Sequence, residues 1–542
     1  MPDTHVVTNQ VPPLEDYNSA ASPMLAEALV REGGQWGVDE VTELGALAGS
    51  RRAQRWGELA DRNRPILRTH DRHGHRIDEV EYDPAYHELM TVAVGHGLHA
   101  APWADDRPGA HVVRAAKTSV WTPEPGHMCP ISMTYAVVPA LRHNPDLAAT
   151  YEPLLTSRSY DPELAVPTTK AGLTAGMSMT EKQGGSDVRA GTTAATPNGD
   201  GSYRLTGHKW FTSAPMCDLF LVLAQAPGGL SCFFLPRVLP DGSRNRMLLQ
   251  RLKDKLGNHA NASSEVEYDD ATAWLVGEEG RGVATIIEMV NLTRLDCTLG
   301  SATSMRNGLM RATHHAQHRK AFGAYLIDQP LMRNMLADLA VEAEAATMLA
   351  MRMAGATDAA VHGDDRESLL RRIGLAAAKY WICKRATPHA AEAMECLGGN
   401  GYAEDSGMPR LYREAPLMGI WEGSGNVSAL DTLRVIATRP ECLEVLFDEL
   451  SATTGLDRRL DAHVDGVREA LGDLDTVEYR ARKIAEDISL ALQGSLLVRH
   501  GHPAVTEAFL ASRLGRAWGG AFGTLPTGLD LAPIIERAMI KA

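Results

Sequence analysis

The chain has 542 residues, 44% of them apolar, and carries a formal charge of −14 from 54 Lys and Arg against 68 Asp and Glu. That length exceeds one ordinary core and predicts roughly three or four domains. The acidic balance excludes wholesale nucleic-acid binding while leaving room for a local basic face.

The seven cysteines (Cys129, Cys217, Cys232, Cys297, Cys383, Cys396 and Cys442) are scattered, odd in number and never in a C-x-x-C pair. This argues for a reducing compartment and against a zinc site or disulfide framework, so no metal is expected. The start, Met1-Pro2-Asp3-Thr4-His5, lacks a basic-then-apolar signal. No apolar run approaches the ~18 residues of a membrane span. A cytoplasmic location is expected.

Residues 1–40 read as a polar arm followed by an amphipathic helix around Met24–Leu29. From 41 to 176 the pattern is mostly helical, with Pro-rich joints such as Pro123-Glu124-Pro125-Gly126. The texture changes near Met177. Asn198-Gly199-Asp200-Gly201 is a hairpin signal, and Leu219–Ala224 and Leu230–Leu235 are apolar runs of strand length. Residues 177–282 therefore predict a small antiparallel β-domain. From 283 to 440 the helical period returns, as in Met335, Leu336, Leu339 and Ala343, and predicts a helix bundle. Residues 441–542 read as a further helical domain.

Four stretches carry candidate chemistry. Met177–Val188 contains Gly184-Gly185-Ser186, whose N–H and O–H groups suit a pyrophosphate or a polar ring edge. It is neither a Walker loop nor a Rossmann fingerprint, and a plain Gly-rich turn explains it equally. Gly207–Ser213 sets Trp210 and Phe211 beside Thr212 and Ser213, fit for a planar cofactor or for a half-buried strand. Arg319-Lys320-Ala321-Phe322-Gly323, with Gln329, offers a guanidinium for phosphate or a solvated basic helix end. Ile420–Asn426 sets Glu422 between an apolar pair and Gly423-Ser424-Gly425. Apolar neighbours raise a carboxylate's pKa and make it a usable base; a surface turn fits the same residues.

Together these stretches resemble the flavin-dependent acyl-CoA dehydrogenases, over nearly the whole chain. The resemblance implies a mainly α fold: an α-helical domain, a small β-barrel-like domain and a four-helix bundle, with an extra C-terminal helical domain. Thr180-Glu181 and Gly185-Ser186-Asp187 match the family's first flavin motif, with Lys182 in place of its proline. Met177 and Met179 flank that motif. Phe211 takes the Trp position of the second motif, and Thr212 and Ser213 follow it, Ser213 in the hydroxyl position near the ring. Arg319 and Phe322 match Arg-x-x-Phe-Gly, which with Gln329 contacts cofactor across a subunit boundary. Glu395 stands where a Gln is common, ahead of Gly399. Glu422 matches the catalytic base, with Trp421 replacing a Tyr and Gly423, Ser424 and Asn426 beside the cofactor. The alternative base position holds Thr293, next to Arg294, a substrate-side candidate.

Within that family the closest likeness is to the bacterial alkylation-response flavoproteins. This implies FAD as cofactor, a homotetramer, weak dehydrogenation of short or branched acyl-CoA, and a double-stranded DNA partner. Residues 480–542 hold 8 Lys and Arg against 5 Asp and Glu. Arg480, Arg482, Lys483, Arg499, Arg513 and Arg516 are the candidate DNA contacts, and Arg434 is a candidate for cofactor or phosphate. Two other readings stand beside this one: a metabolic acyl-CoA dehydrogenase with no DNA role, and a flavin-stabilised DNA-binding protein in which Glu422 is idle.

Overall fold

The computed structural model describes residues 4–473, 475–515 and 517–539. The chain divides into two compact units, one of Arg51–Ala110 and Trp121–Asp296, the other of Met1–Ser50, His111–Val120 and Cys297–Ala542.

The first unit is built around a seven-stranded sheet: β1 (Ala175–Ser178), β2 (Ala194–Pro197), β3 (Ser202–Ser213), β4 (Leu219–Ala226), β5 (Gly229–Pro236), β6 (Met247–Leu252) and β7 (Ser263–Val276). Strands β4, β2, β3, β7 and β5 follow one another, and β5 pairs back onto β4, so the sheet closes on itself like a barrel. The closing link between β2 and β4 is one pair, Ala194 with Gln225. Pairing is antiparallel except where β4 meets β1 and β2 in parallel. The Asn198–Gly201 turn forms as its chemistry dictates: the Asp200 carboxylate accepts the Ser202 N–H at 2.9 Å, and β2 pairs with β3.

β4 and β5 are almost continuously apolar because both faces are covered; Leu219 to Ala224 and Cys232 to Leu235 are all buried. Helices Met128–Leu141 and Pro145–Leu155 pack with this unit, and the Thr134 hydroxyl accepts the N–H of Ala175 at the start of β1. The 41–176 region, expected to be mostly helical, also holds a hairpin, Ile66–His70 with Arg76–Glu81.

In the second unit, α1 (Gly282–His318) enters from the first unit and is followed by α2 (Pro330–Val361), α3 (Asp365–Glu395), α4 (Met408–Met418) and α5 (Gly425–Thr438). α2, α4 and α5 all pack on α3. The C-terminal helix α6 (Ala481–His500) packs on α2, α3 and α5. Its residues from Ile488 to Leu497 are buried, so the C-terminal segment shares the bundle's core. Buried ion pairs tie the segment down. Arg513, 2% exposed, meets Asp338 at 2.6 Å and Glu342 at 2.9 Å, and Arg385 meets Glu342 at 3.0 Å.

Candidate active site

In the first unit, the turn after β1 lies against β3. The Thr180 carbonyl accepts the N–H of Trp210 at 2.7 Å. Glu181 is buried and accepts from Lys209 Nζ at 2.8 Å and from the N–H and hydroxyl of both Thr192 and Thr193. Burial raises its pKa, but the Lys209 bond and the other donors outweigh burial and hold the carboxyl well below its usual range. Glu181 is thus a structural anchor for the loop carrying Met179, Thr180, Gly185 and the exposed Ser186. A Cβ on Gly185 would lie 2.4 Å from Thr180 Oγ1, so this close approach calls for glycine.

A bulge in the β3–β7 register between Lys209 and Thr212 leaves both of those residues buried and the two aromatics between them partly exposed. Lys253 Nζ sits 3.2 Å from the centre of the Trp210 ring. Phe211 is 50% exposed. Ser213 Oγ lies 3.3 Å from Ser263 Oγ. The Thr212 hydroxyl is buried and shares a 2.5 Å hydrogen bond with Ser178. Met177 is buried, and so is Arg294 on α1, beside a Thr293 hydroxyl that donates to the Val290 carbonyl at 3.0 Å.

In the second unit, Glu422 lies in the tight link between α4 and α5, with φ of +56°, followed by Gly423 at +103°. Lys379, on α3 and 1% exposed, holds this link. Its ammonium donates to the Trp421 carbonyl at 2.9 Å and also to the Gly423 carbonyl. The Ser428 hydroxyl donates to the same Gly423 oxygen at 3.1 Å. Glu422 is thereby clamped by the carbonyls on either side of it, in a left-handed conformation uncommon for a residue with a side chain. Trp421 is partly buried, and its indole N–H has no partner among the described residues. Ser424 and Asn426 are exposed at the start of α5.

A second element of this unit is the hairpin Lys320–Ala321 with Ala324–Tyr325. Its two turn residues, Phe322 (φ +52°) and Gly323 (φ +84°), are both left-handed, as in a type I′ turn. Phe322 is fully exposed. The N-terminal arm braces the hairpin. Asn9 donates to the Lys320 carbonyl at 2.9 Å and accepts its N–H at 2.8 Å, and Arg319 Nη1 donates to the Asn9 carbonyl at 2.6 Å. Gln329 donates to the Ala321 carbonyl at 2.8 Å. Glu395 and Gly399 are exposed at the end of α3.

Comparison with known proteins settles the family. The family profile described as "Adaptive response protein AidB N-terminal domain" matches residues 9–162. Those for the acyl-CoA dehydrogenase middle and C-terminal domains match 176–271 and 280–437. The chain is 45% identical over 513 residues to the "Putative acyl-CoA dehydrogenase AidB" of Escherichia coli, covering 93% of this chain and 94% of that one. The chain belongs to the acyl-CoA dehydrogenase family, in its AidB branch. A further relative, "Acyl-CoA dehydrogenase family member 11" of Caenorhabditis elegans, is 31% identical over 82% of this chain and 77% of its own. The solved structure of C. elegans ACDH-11 with C11-CoA superposes with a TM-score of 0.84 at 28% identity, over 94% and 93% of the two chains.

Acyl-CoA dehydrogenases are flavoproteins, and FAD is the cofactor of this AidB-type chain. The residues present fit it. In the second unit the Trp421 N–H has no partner among the described residues and Phe322 leaves aromatic surface open; in the first unit Phe211 does so by itself.

The described cations of the C-terminal segment named as candidate DNA contacts each have an acceptor within the chain. Arg513 is buried between Asp338 and Glu342. Arg499 meets Glu449 at 2.7 Å. Arg480 folds back on the Ala470 and Asp473 carbonyls, and Lys483 pairs with Asp487. Arg482 donates to Asn426 at 2.8 Å, next to the Glu422 loop. A charge count cannot reveal these acceptors, some of which are distant in sequence. Arg516 lies outside the described residues. Arg434 is exposed, 3.5 Å from Asp431. Lys379 and Asn9 were not anticipated; a lysine in an apolar helical stretch, Leu375–Ile382, is the signal that marks Lys379.

Proposed function

We propose that this AidB-type protein removes the α proton of a short or branched acyl-CoA thioester with Glu422 as base, and that it acts as an FAD-dependent α,β-dehydrogenase of modest turnover. The observation that carries the reading is the clamped Glu422 loop. A base must keep one orientation through the reaction, and a buried lysine holding both flanking carbonyls supplies that rigidity. The Glu422 carboxylate takes the α proton. Its backbone N–H donates to the thioester carbonyl oxygen as negative charge builds there. Bound FAD would supply the hydride acceptor for the β-carbon. Ser213, Phe211, Ser424 and Asn426 are assigned to holding the flavin, and Arg319, Phe322, Gln329, Glu395 and Gly399 to a cofactor shared between subunits of a homotetramer. The exposed, left-handed Phe322 supports that sharing. The acyl-CoA bound by the C. elegans relative supports the substrate class.

A role in protecting DNA from alkylation is part of the proposal, supported by the adaptive-response description of the N-terminal family. Arg482 and Lys483, both exposed on α6, are assigned to phosphate contact.

The test is an anaerobic titration of the FAD-loaded protein with short and branched acyl-CoA thioesters, alongside Glu422→Gln. The wild type is expected to lose its flavin absorbance and the variant to keep it. Retention of colour by the wild type with every thioester would reduce the acyl-CoA reading to ancestry.

A further inference from the structure

Arg306, on α1, is 8% exposed. One end of its guanidinium is anchored: Nη2 donates to the Ser119 carbonyl at 2.7 Å and lies 3.3 Å from Thr303 Oγ1. Its Nε is buried without a partner, and among the described residues it forms no ion pair with a carboxylate. A buried cation in that state is costly. Arg513, another deeply buried arginine in this unit, has two carboxylates. Burial, with nothing opposing it, pulls the Arg306 pKa down to about 10, which leaves it charged at neutral pH.

Arg306 lines a recess in the second unit. Met24, at the start of the helix Pro23–Arg31, lines it too, and so does Ser22 at the N-cap, whose hydroxyl caps nothing. Asn307 lines it as well and offers a neutral amide donor. Arg537 borders the recess, but Glu27 and Glu344 neutralise it, each at 2.7 Å. Arg306 is therefore the uncompensated charge. A helix N-terminus adds positive potential on the same side. The recess holds about 40 Å³, room for roughly three waters, hence for a small anion and not for a nucleotide.

We infer that this recess is a binding site for a small free oxyanion of the phosphate class, with Arg306 as its charge partner and Ser22 and Asn307 as neutral donors. The site is separate from the residues assigned to flavin and acyl-CoA, and it does not depend on Glu422 being a base.

The experiment is equilibrium dialysis of the full-length, FAD-loaded protein against inorganic phosphate at constant ionic strength, with thermal unfolding followed in parallel. Saturable binding of one phosphate per chain is expected, with a matching rise in Tm and no change in flavin absorbance. Arg306→Met should weaken binding ~10-fold or more, the loss typical of a charge-assisted hydrogen bond. In phosphate-free buffer that variant should melt at or above the wild type, since it removes an uncompensated buried charge. Asn307→Ala, which leaves the buried charge in place, should weaken binding ~3-fold. Glycerol phosphate, larger than the recess, should bind ~10-fold more weakly than phosphate. The inference is overturned by absence of saturable binding, by undiminished binding in both variants, or by equal binding of the ester.

Discussion

The ammonium of Lys379 donates to the carbonyls of Trp421 and Gly423, so the backbone of Glu422 is fixed from both sides. Removing the ammonium strands the Trp421 carbonyl and leaves the Gly423 carbonyl with only its Ser428 donor. Lys379→Met is expected to cost about 2–4 kcal/mol of stability, measured by chemical denaturation, while Lys379→Arg recovers part of it. A merely structural lysine would leave the Glu422 loop working in the surviving fold. A positioning one lowers kcat further than it raises KM, and steady-state kinetics on the folded fraction separates the two. Glu181 is the contrasting carboxylate. It has so many donors that it stays ionised and inert, which its place in a flavin-like motif did not disclose.

At the scale of elements, the hairpin around Phe322 is informative because it is locally unfavourable. A type I′ turn favours Asn or Gly at its first central position, yet a fully exposed phenylalanine occupies it with φ of +52°. Phe322→Asn should relieve that strain, leaving the chain's Tm equal or a few degrees higher by calorimetry. The same change should lower FAD retention on gel filtration if the ring serves a neighbouring subunit. Elements were legible where local chemistry dominates. Asn198–Gly201 announced its hairpin because Gly and Asp satisfy a tight turn without outside help. The hairpin at 66–81 was missed because Arg68, His70, Arg76 and Glu79 break the apolar alternation that marks a strand. Closure of the barrel through Ala194 and Gln225 joins strands from well-separated parts of the chain, and no local pattern encodes it.

Across the whole molecule, the network of Asp338, Glu342, Arg385 and Arg513 binds the C-terminal segment to the bundle core. Burial raises the Glu342 pKa, but Arg385 and Arg513 overcome it and hold it at about 2, below its ordinary value near 4.5. A depressed carboxylate stabilises the fold above its unfolded value and loses that contribution as pH falls through the folded one. The wild type's Tm advantage over Glu342→Gln should therefore be full above pH ~4.5 and vanish toward pH ~2, as a pH series of melting curves would read. The same network shows what a charge count leaves out: Arg513 enters it as a free cation, while its acceptors lie some 170 residues earlier. DNA affinity should accordingly have a shallow salt slope, near one or two released counterions, in filter binding across a salt series. A steep slope would place a large phosphate-binding surface elsewhere on the protein.

The account turns on Glu422 taking the α proton, and isotope exchange reads that step without requiring hydride transfer. The FAD-loaded protein would be incubated anaerobically in D2O with an acyl-CoA thioester, and deuterium at the α-carbon followed by mass spectrometry. Wild type is predicted to incorporate deuterium at a rate that Glu422→Gln lowers at least ~10³-fold, in keeping with the loss of a general base. Exchange that survives Glu422→Gln would contradict the assignment.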